Sequence, residues 1–158
     1  GIHTRGVPLA RGIARLIGEF EESPVAAGGL DVTLYRDDLA RRVKLPAGPT
    51  DLPFDIEGRT VVLVDDVLYT GRSVRAGLDA LQSYGRPRSV ELLVLVDRRF
   101  SRELPIQPDH VGKWVDSIDG QRVSVEWAEV EGRDRVLLTT QDTTSAPRRA
   151  GSLTPGEA

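Results

Sequence analysis

Val61-Val62-Leu63-Val64-Asp65-Asp66-Val67-Leu68-Tyr69-Thr70-Gly71-Arg72-Ser73 is the stretch on which the reading of this chain turns. From Thr60 to Val64 the residues are β-branched or aliphatic without a break, the mark of a strand buried on both faces. The run gives way to Asp65-Asp66, so the strand is expected to end there. In an open parallel sheet, ligands bind beyond the carboxyl ends of the strands. Here two acids stand at such an end, and a short polar loop follows them and opens a helix. The backbone N–H groups from Tyr69 to Ser73, with the hydroxyls of Thr70 and Ser73, make a cradle for a phosphate at the positive helix terminus, and Gly71 lets the backbone come close. The two carboxylates then face hydroxyls or a metal. Neither the lysine-bearing loop of the common NTPases nor the three-glycine dinucleotide fingerprint is present. The plain alternative, a solvated strand end with Ser73 as a helix cap, needs acids, hydroxyls and glycine to coincide by chance.

On either side of this stretch the chain alternates elements. Leu9, Ile13, Leu16, Ile17 and Phe20 recur at helical spacing, and Pro8 suits a first turn, so Val7 to Phe20 is expected to be a helix burying that face. Leu30 to Tyr35 alternates with β-branched residues and reads as a strand. Asp37 to Pro53 carries three prolines and no sustained period, which predicts a long flexible loop. After Ser73, Val74, Leu78 and Leu81 predict a helix closed by Gly85 and Pro87, and Val90 to Val96 a second buried strand. Strand, helix and strand together make a parallel βαβ unit. Val123 to Val130 and Arg135 to Thr139 read as later strands. From residue 141 onward small and polar residues dominate, so a domain over 1–140 with a disordered tail over 141–158 is expected. An opening on Gly1-Ile2-His3-Thr4-Arg5-Gly6, itself reading as a functional loop, predicts that an N-terminal element is missing upstream.

Composition narrows the chemistry. The 158 residues fit one domain with a proper core. Lys and Arg number 21 against 24 Asp and Glu, for a formal charge of −3, so no global positive field marks a nucleic-acid binder. Without cysteine, disulfides, thiolate metal sites and cysteine nucleophiles are excluded, and a cytoplasmic protein is expected. No apolar run approaches the ~18 residues of a membrane span.

Asp65-Asp66-Val-Leu-Tyr-Thr70-Gly71-Arg72-Ser73 resembles the phosphoribosyl pyrophosphate (PRPP) loop of type I phosphoribosyltransferases. Further stretches narrow the likeness: Gly1 to Gly6, Asp31 to Leu39, Val74 to Leu81, Val96-Asp97-Arg98 and Arg102-Glu-Leu-Pro-Ile106. In order, they are similar to the bacterial pyrimidine-operon attenuators that are also uracil phosphoribosyltransferases. The resemblance implies an α/β fold, a central mostly parallel sheet flanked by helices, with a flexible flap and a small hood. It also implies transfer of phosphoribose from PRPP to uracil, giving UMP and pyrophosphate, with Mg²⁺ arriving with PRPP.

The same resemblance assigns roles. Asp65 and Asp66 match the acids that hold the ribose hydroxyls, and Tyr69, Thr70, Gly71, Arg72 and Ser73 match the 5′-phosphate cradle. Thr4 and Arg5 fall in the pyrophosphate loop, Arg5 being also a catalytic candidate, and Arg36 is a second cationic contact. Asp37 to Pro53 corresponds to the flap. Asp109 to Lys113 is similar to the base-reading segment, with the backbone of Val111 on the base edge and Lys113 near an exocyclic oxygen. In purine-specific members the fifth loop residue is an acid, whereas Tyr69 stands here, which favours a pyrimidine. A purine phosphoribosyltransferase and a catalytically vestigial RNA-binding nucleotide sensor are the alternatives.

The regulatory half of the resemblance implies binding of the leader mRNA of pyrimidine genes in response to UMP or UTP. Residues 86–113 carry Arg86, Arg88, Arg98, Arg99, Arg102 and Lys113 against Glu91, Asp97, Glu103 and Asp109, while 50–85 and 114–140 are each net acidic. Arg98, Arg99, Arg102 and Lys113 are therefore the expected RNA contacts, on a face that a homodimer or higher homo-oligomer would double. Two stretches depart from the family pattern, Arg99-Phe100-Ser101 and Trp114 to Ile118, and both lie in this region.

Overall fold

A computed structural model of the chain describes residues 1–37, 48–118 and 120–140. Most of the expected flap, residues 38–47, and the whole expected tail lie outside the described residues.

The parallel unit forms as its sequence predicts. Strand β1 (Thr60–Leu68), helix α2 (Arg72–Leu81) and strand β2 (Ser89–Arg99) follow one another, and β3 (His110–Asp116) adds to the far side of β2. All three strands are parallel, with Asp65 opposite Val94 and Val94 opposite Val111. On the other side of β1, the Ile2 N–H donates to the Val64 carbonyl at 2.8 Å, and Ile2 in turn bridges Leu30. The core lies where these elements meet α2: Ile2, Leu30, Leu63, Leu68, Val74, Ala76, Ala80, Leu81, Leu92 and Val94 are all buried. Leu63 and Ile2 come so close to Gly77 that any side chain there would press on both.

Helix α1 (Gly6–Phe20) precedes this unit. Its extent agrees with the periodicity, but its buried face does not. Gly6, Val7, Ala10 and Ala14 are buried, while Leu16, Ile17 and Phe20 are exposed. Close approach decides this. A Cβ on Gly6 would lie 2.5 Å from the Val64 carbonyl oxygen, so the small residues face the sheet and the bulky ones flank the contact.

Three expected strands differ. β1 does not stop at Asp65-Asp66 but runs on to Leu68, because β2 continues beside it as far as Asp97 and keeps its backbone paired. Leu30 to Tyr35 is not a strand beyond the single bridge at Leu30. The Asp31 carboxylate accepts the Thr33 N–H at 2.9 Å and the Thr33 hydroxyl at 2.6 Å, and this local bonding turns the chain into a 3₁₀ turn over Thr33–Tyr35. Val123 to Val130 divides into strand β4 (Gln121–Glu126) and a short helix α3 (Ala128–Glu131). Glu131 accepts the Trp127 N–H and Asp134 the Ala128 N–H, which removes two donors from any continuing ladder. β4 then pairs antiparallel with β5 (Arg135–Thr140), forming a hairpin apart from the main sheet.

Replacing Leu63, which is 3% exposed and packed against α2, by alanine should destabilise the fold by about 2–5 kcal/mol, since the close helix contact leaves little room for collapse into the gap. Urea denaturation followed by circular dichroism checks this, with an unchanged midpoint contradicting the packing described.

Candidate functional site

A cavity of about 600 Å³ opens at the carboxyl end of β1 and β2. Its lining joins Asp65 and the loop Tyr69–Ser73 to Arg36, Arg98 and the start of β4, Gly120 to Val123. Parallel pairing carries β1 up to this cavity, and the chain then turns at Gly71, whose φ of +93° suits glycine. A Cβ there would also press on Leu104 and Ile106, which pack over the loop. Gly71 is the N-cap of α2 and has no side chain to cap it, and the Thr70 hydroxyl accepts the Arg72 N–H at 3.4 Å. The positive end of α2 therefore faces the cavity with Thr70 and Ser73 beside it.

Asp65 is 7% exposed, and its Oδ1 accepts the Asp66 N–H at 3.0 Å. Burial, and after it the adjacent charge of Asp66, hold the Asp65 carboxyl well above the usual carboxylate range. Burial raises Asp66 as well, with Arg5 among the groups that oppose the rise. Two adjacent acids inside β1, Asp65 buried and Asp66 half-buried, are costly to ionise together. They are two hard oxygen donors, and among the described residues no group of three or more His, Cys, Asp or Glu side chains could hold a metal ion by itself. This donor set suits Mg²⁺ that arrives with most of its shell already supplied by phosphate oxygens and water.

Several expected contacts have other partners. The Arg72 side chain turns from the loop to acids on either side, with Nη1 2.6 Å from Asp37 and Nη2 2.7 Å from Glu103. Arg36 donates to the Ser73 hydroxyl at 2.5 Å, which joins the segment before the expected flap to the loop. Thr4 is exposed on its turn. Arg5 forms an ion pair with Glu131 at 2.8 Å and donates to the Val125 carbonyl, while its own carbonyl accepts the Trp127 indole N–H. The first loop of the chain is thereby fastened to the hairpin.

Val111 and Lys113 do not line this cavity. They lie within β3, two strands from β1, where Val111 packs toward the core and Lys113 is exposed. The segment that reaches the cavity is instead Gly120 to Val123. No side-chain signature announces it, since a wall made partly of backbone needs none. Of the four expected RNA contacts, Arg98 is buried at 5% exposure and is a wall of the cavity, which corrects its placement on an outer face. Arg99 forms a two-pronged pair with Asp116, and Arg102 bonds to Asp97 at 2.5 Å and to the Tyr69 carbonyl at 2.6 Å. Trp114 is 58% exposed on β3.

Comparison with known proteins agrees with this architecture. The chain is 57% identical over 139 residues to the "Bifunctional protein PyrR" of Thermus aquaticus, covering 87% of this chain and 76% of that one. It is 55% identical over 143 residues to the protein of the same name from Leifsonia xyli subsp. xyli, covering 87% and 78%. Among solved structures, a hypoxanthine phosphoribosyltransferase from Staphylococcus aureus superposes with a TM-score of 0.54 at 24% identity, over 75% of this chain and 61% of that one, a likeness of fold alone. Among the described residues no helix is long and apolar enough to cross a membrane. With the phosphoribosyl transferase domain matched over residues 1–129, and Asp65, the glycine turn and the N-terminus of α2 converging on one cavity, the chain belongs to the phosphoribosyltransferase family.

Proposed function

We propose that the chain transfers phosphoribose from PRPP to uracil and regulates pyrimidine genes by binding their leader mRNA in response to uridine nucleotides. The observation that carries the enzymatic half is the cavity in which the buried Asp65, the N-terminus of α2 and the β4 wall meet. The helix terminus and the hydroxyls of Thr70 and Ser73 take the 5′-phosphate, and Asp65 and Asp66 take the ribose hydroxyls. Thr4, Arg5 and Arg36 serve the pyrophosphate. Arg72 contributes its backbone N–H, while its guanidinium fastens Asp37 and Glu103 to the loop.

In the reaction, the bond from C1′ to the pyrophosphate oxygen breaks with its electron pair leaving on pyrophosphate. The uracil N1 then bonds to C1′ and gives up its proton. The intervening ribose is oxocarbenium-like, so the site acts by orienting N1, spreading the leaving charge and excluding water. Mg²⁺ bound to PRPP supplies neutralisation of the pyrophosphate. Tyr69 in place of an acid supports a pyrimidine over a purine, and the β4 wall from Gln121 to Val123 suits a flat base edge better than Val111 and Lys113 do. The regulatory half draws on the family resemblance together with the exposed Phe100, Trp114 and Lys113 near the top of β2 and β3.

With PRPP and Mg²⁺, uracil should be converted to UMP and pyrophosphate, and hypoxanthine should not; turnover of hypoxanthine alone would reverse the substrate assignment. Asp66→Asn should lower kcat/KM by about 10²-fold, or about 2.7 kcal/mol, through loss of a charged partner of the ribose. Asp65→Asn should be as damaging to activity while raising Tm. A raised native pKa means that the folded chain holds a proton the unfolded chain releases, so stability falls as pH climbs above the usual carboxylate range. Asparagine removes that cost, and the gain should be absent near pH 4 and reach about 2–4 °C at pH 7, the shift that ~1 kcal/mol gives a domain of this size. A lower Tm at pH 7 would contradict the burial argument. For the regulatory half, filter binding should show UMP strengthening the grip on leader RNA, with affinity falling steeply as salt rises; equal binding to a scrambled RNA, with or without UMP, would remove it.

A further inference from the structure

Arg98 is an arginine whose charge the fold leaves uncompensated. At 5% exposure it is among the few buried charged residues, and it follows directly on Asp97 at the top of β2. A guanidinium keeps its charge at every ordinary pH, so burial without an anion is costly. The arginines around it are treated differently: Arg72 holds Asp37 and Glu103, Arg99 holds Asp116, and Arg102 holds Asp97. Among the described residues Arg98 has only neutral partners. Its Nε donates to the Ser117 hydroxyl at 2.8 Å, its Nη2 donates to the Gln121 carbonyl at 3.0 Å, and its plane lies 4.0 Å from the centre of the Tyr69 ring.

Among the described residues these contacts leave Nη1 with no acceptor. Among the described residues, no side-chain nitrogen or oxygen is both sealed from solvent and without a hydrogen-bond partner. Nη1 is therefore not sealed from solvent, and Arg98 lines the cavity with Asp65, Tyr69 and Gln121. The rigid fork holds it beside the β4 backbone, because Nη2 of the same guanidinium is already bonded to Gln121. The phosphate end of the cavity is occupied by a different donor set, the N-terminus of α2 with Thr70 and Ser73. A charged, preoriented N–H donor at the β4 wall matches a neutral carbonyl acceptor on a flat ring lying along that wall.

We propose that Arg98 is a specificity-determining residue that donates from Nη1 to an exocyclic carbonyl oxygen of the nucleobase. This rests on the assignment of the cavity to uracil and PRPP. At O4 such a donor gives a physical ground for preferring uracil, whose two exocyclic groups are both acceptors, to cytosine, which presents an amine at that position. A donor facing that amine would leave both unsatisfied.

The test compares wild type with Arg98→Lys and Arg98→Gln, the second keeping a planar donor should lysine fail to fold. Equilibrium binding of UMP and of ribose 5-phosphate is measured by calorimetry, alongside KM for uracil and for PRPP and the Tm of each variant. The expected result is at least tenfold weaker UMP binding and a tenfold higher KM for uracil, with ribose 5-phosphate affinity and the KM for PRPP within twofold. Wild type should also discriminate against one of 2-thiouracil and 4-thiouracil, whose sulfur is the poorer acceptor, and the variants should lose that discrimination. Equal weakening of ribose 5-phosphate and UMP would make Arg98 a phosphate contact or a purely structural one, and would overturn the proposal. Undiminished thio-analogue discrimination in a folded variant would do the same. Wild type that turns over no uracil sinks the assignment of the cavity instead, and the two binding measurements still decide whether Arg98 reads the base.

Discussion

Everything at the site depends on a carboxylate being buried inside a parallel strand. Asp65 is opposite Val94 in the middle of the sheet, not beyond its edge, and the pairing of β1 with β2 persists to Leu68 and Asp97. Continued pairing does two things. It removes Asp65 from water, which raises its pKa, and it delivers the chain to Gly71 in the orientation that points the end of α2 into the cavity. A strand that ended at Val64 would leave both acids solvated and the loop unanchored. The unfavourable term is tolerated because Leu63, Leu68, Val74 and Val94 bury a continuous apolar layer around it.

Around that constraint the cations are distributed by partner. Arg102 reaches Asp97 and the Tyr69 carbonyl, and the N–H groups of Glu103 and Leu104 both donate to the Thr70 carbonyl. With Leu104 and Ile106 packed over Gly71, the segment after β2 is bound to the glycine turn by charge, backbone and apolar contact together. A run of basic residues that reads as an outward patch is therefore in large part internal wiring of the loop. Together these contacts act as a network that fixes a short loop from several sides.

The elements whose signal is local were legible. The acid pair, the glycine and the helix after it are adjacent in sequence, so the βαβ unit and its turn are visible without tertiary information. Features that depend on contact between distant segments were not. Whether β1 stops at Val64 or at Leu68 is decided by the length of β2, and which face of α1 is buried is decided by how near Gly6 comes to Val64. Asp31 and Thr33 look like strand residues by alternation, yet their side chains bond to each other first. The expected base-reading segment lies off the cavity for a related reason. Residues 109–113 carry a histidine and a lysine that attract notice, while Gly120 to Val123 reach the cavity with no distinctive chemistry of their own.

Among the described residues that hairpin wall shares no strand pairing with the main sheet, and its position follows in part from the opposite end of the chain. Arg5 binds the Val125 carbonyl and Glu131, and Trp127 donates its indole N–H back to the Arg5 carbonyl. Arg98 adds the second anchor, reaching from β2 to Gln121 and Ser117. The two walls of the cavity are thus joined by two arginines, one from the first loop and one from the second strand, with β4 suspended between them. A ligand that spans from the α2 terminus to β4 draws on both anchors. The spacing between the loop and the hairpin is accordingly set by side-chain reach and not by sheet hydrogen bonds, which leaves this dimension of the site the most open to adjustment by whatever occupies it.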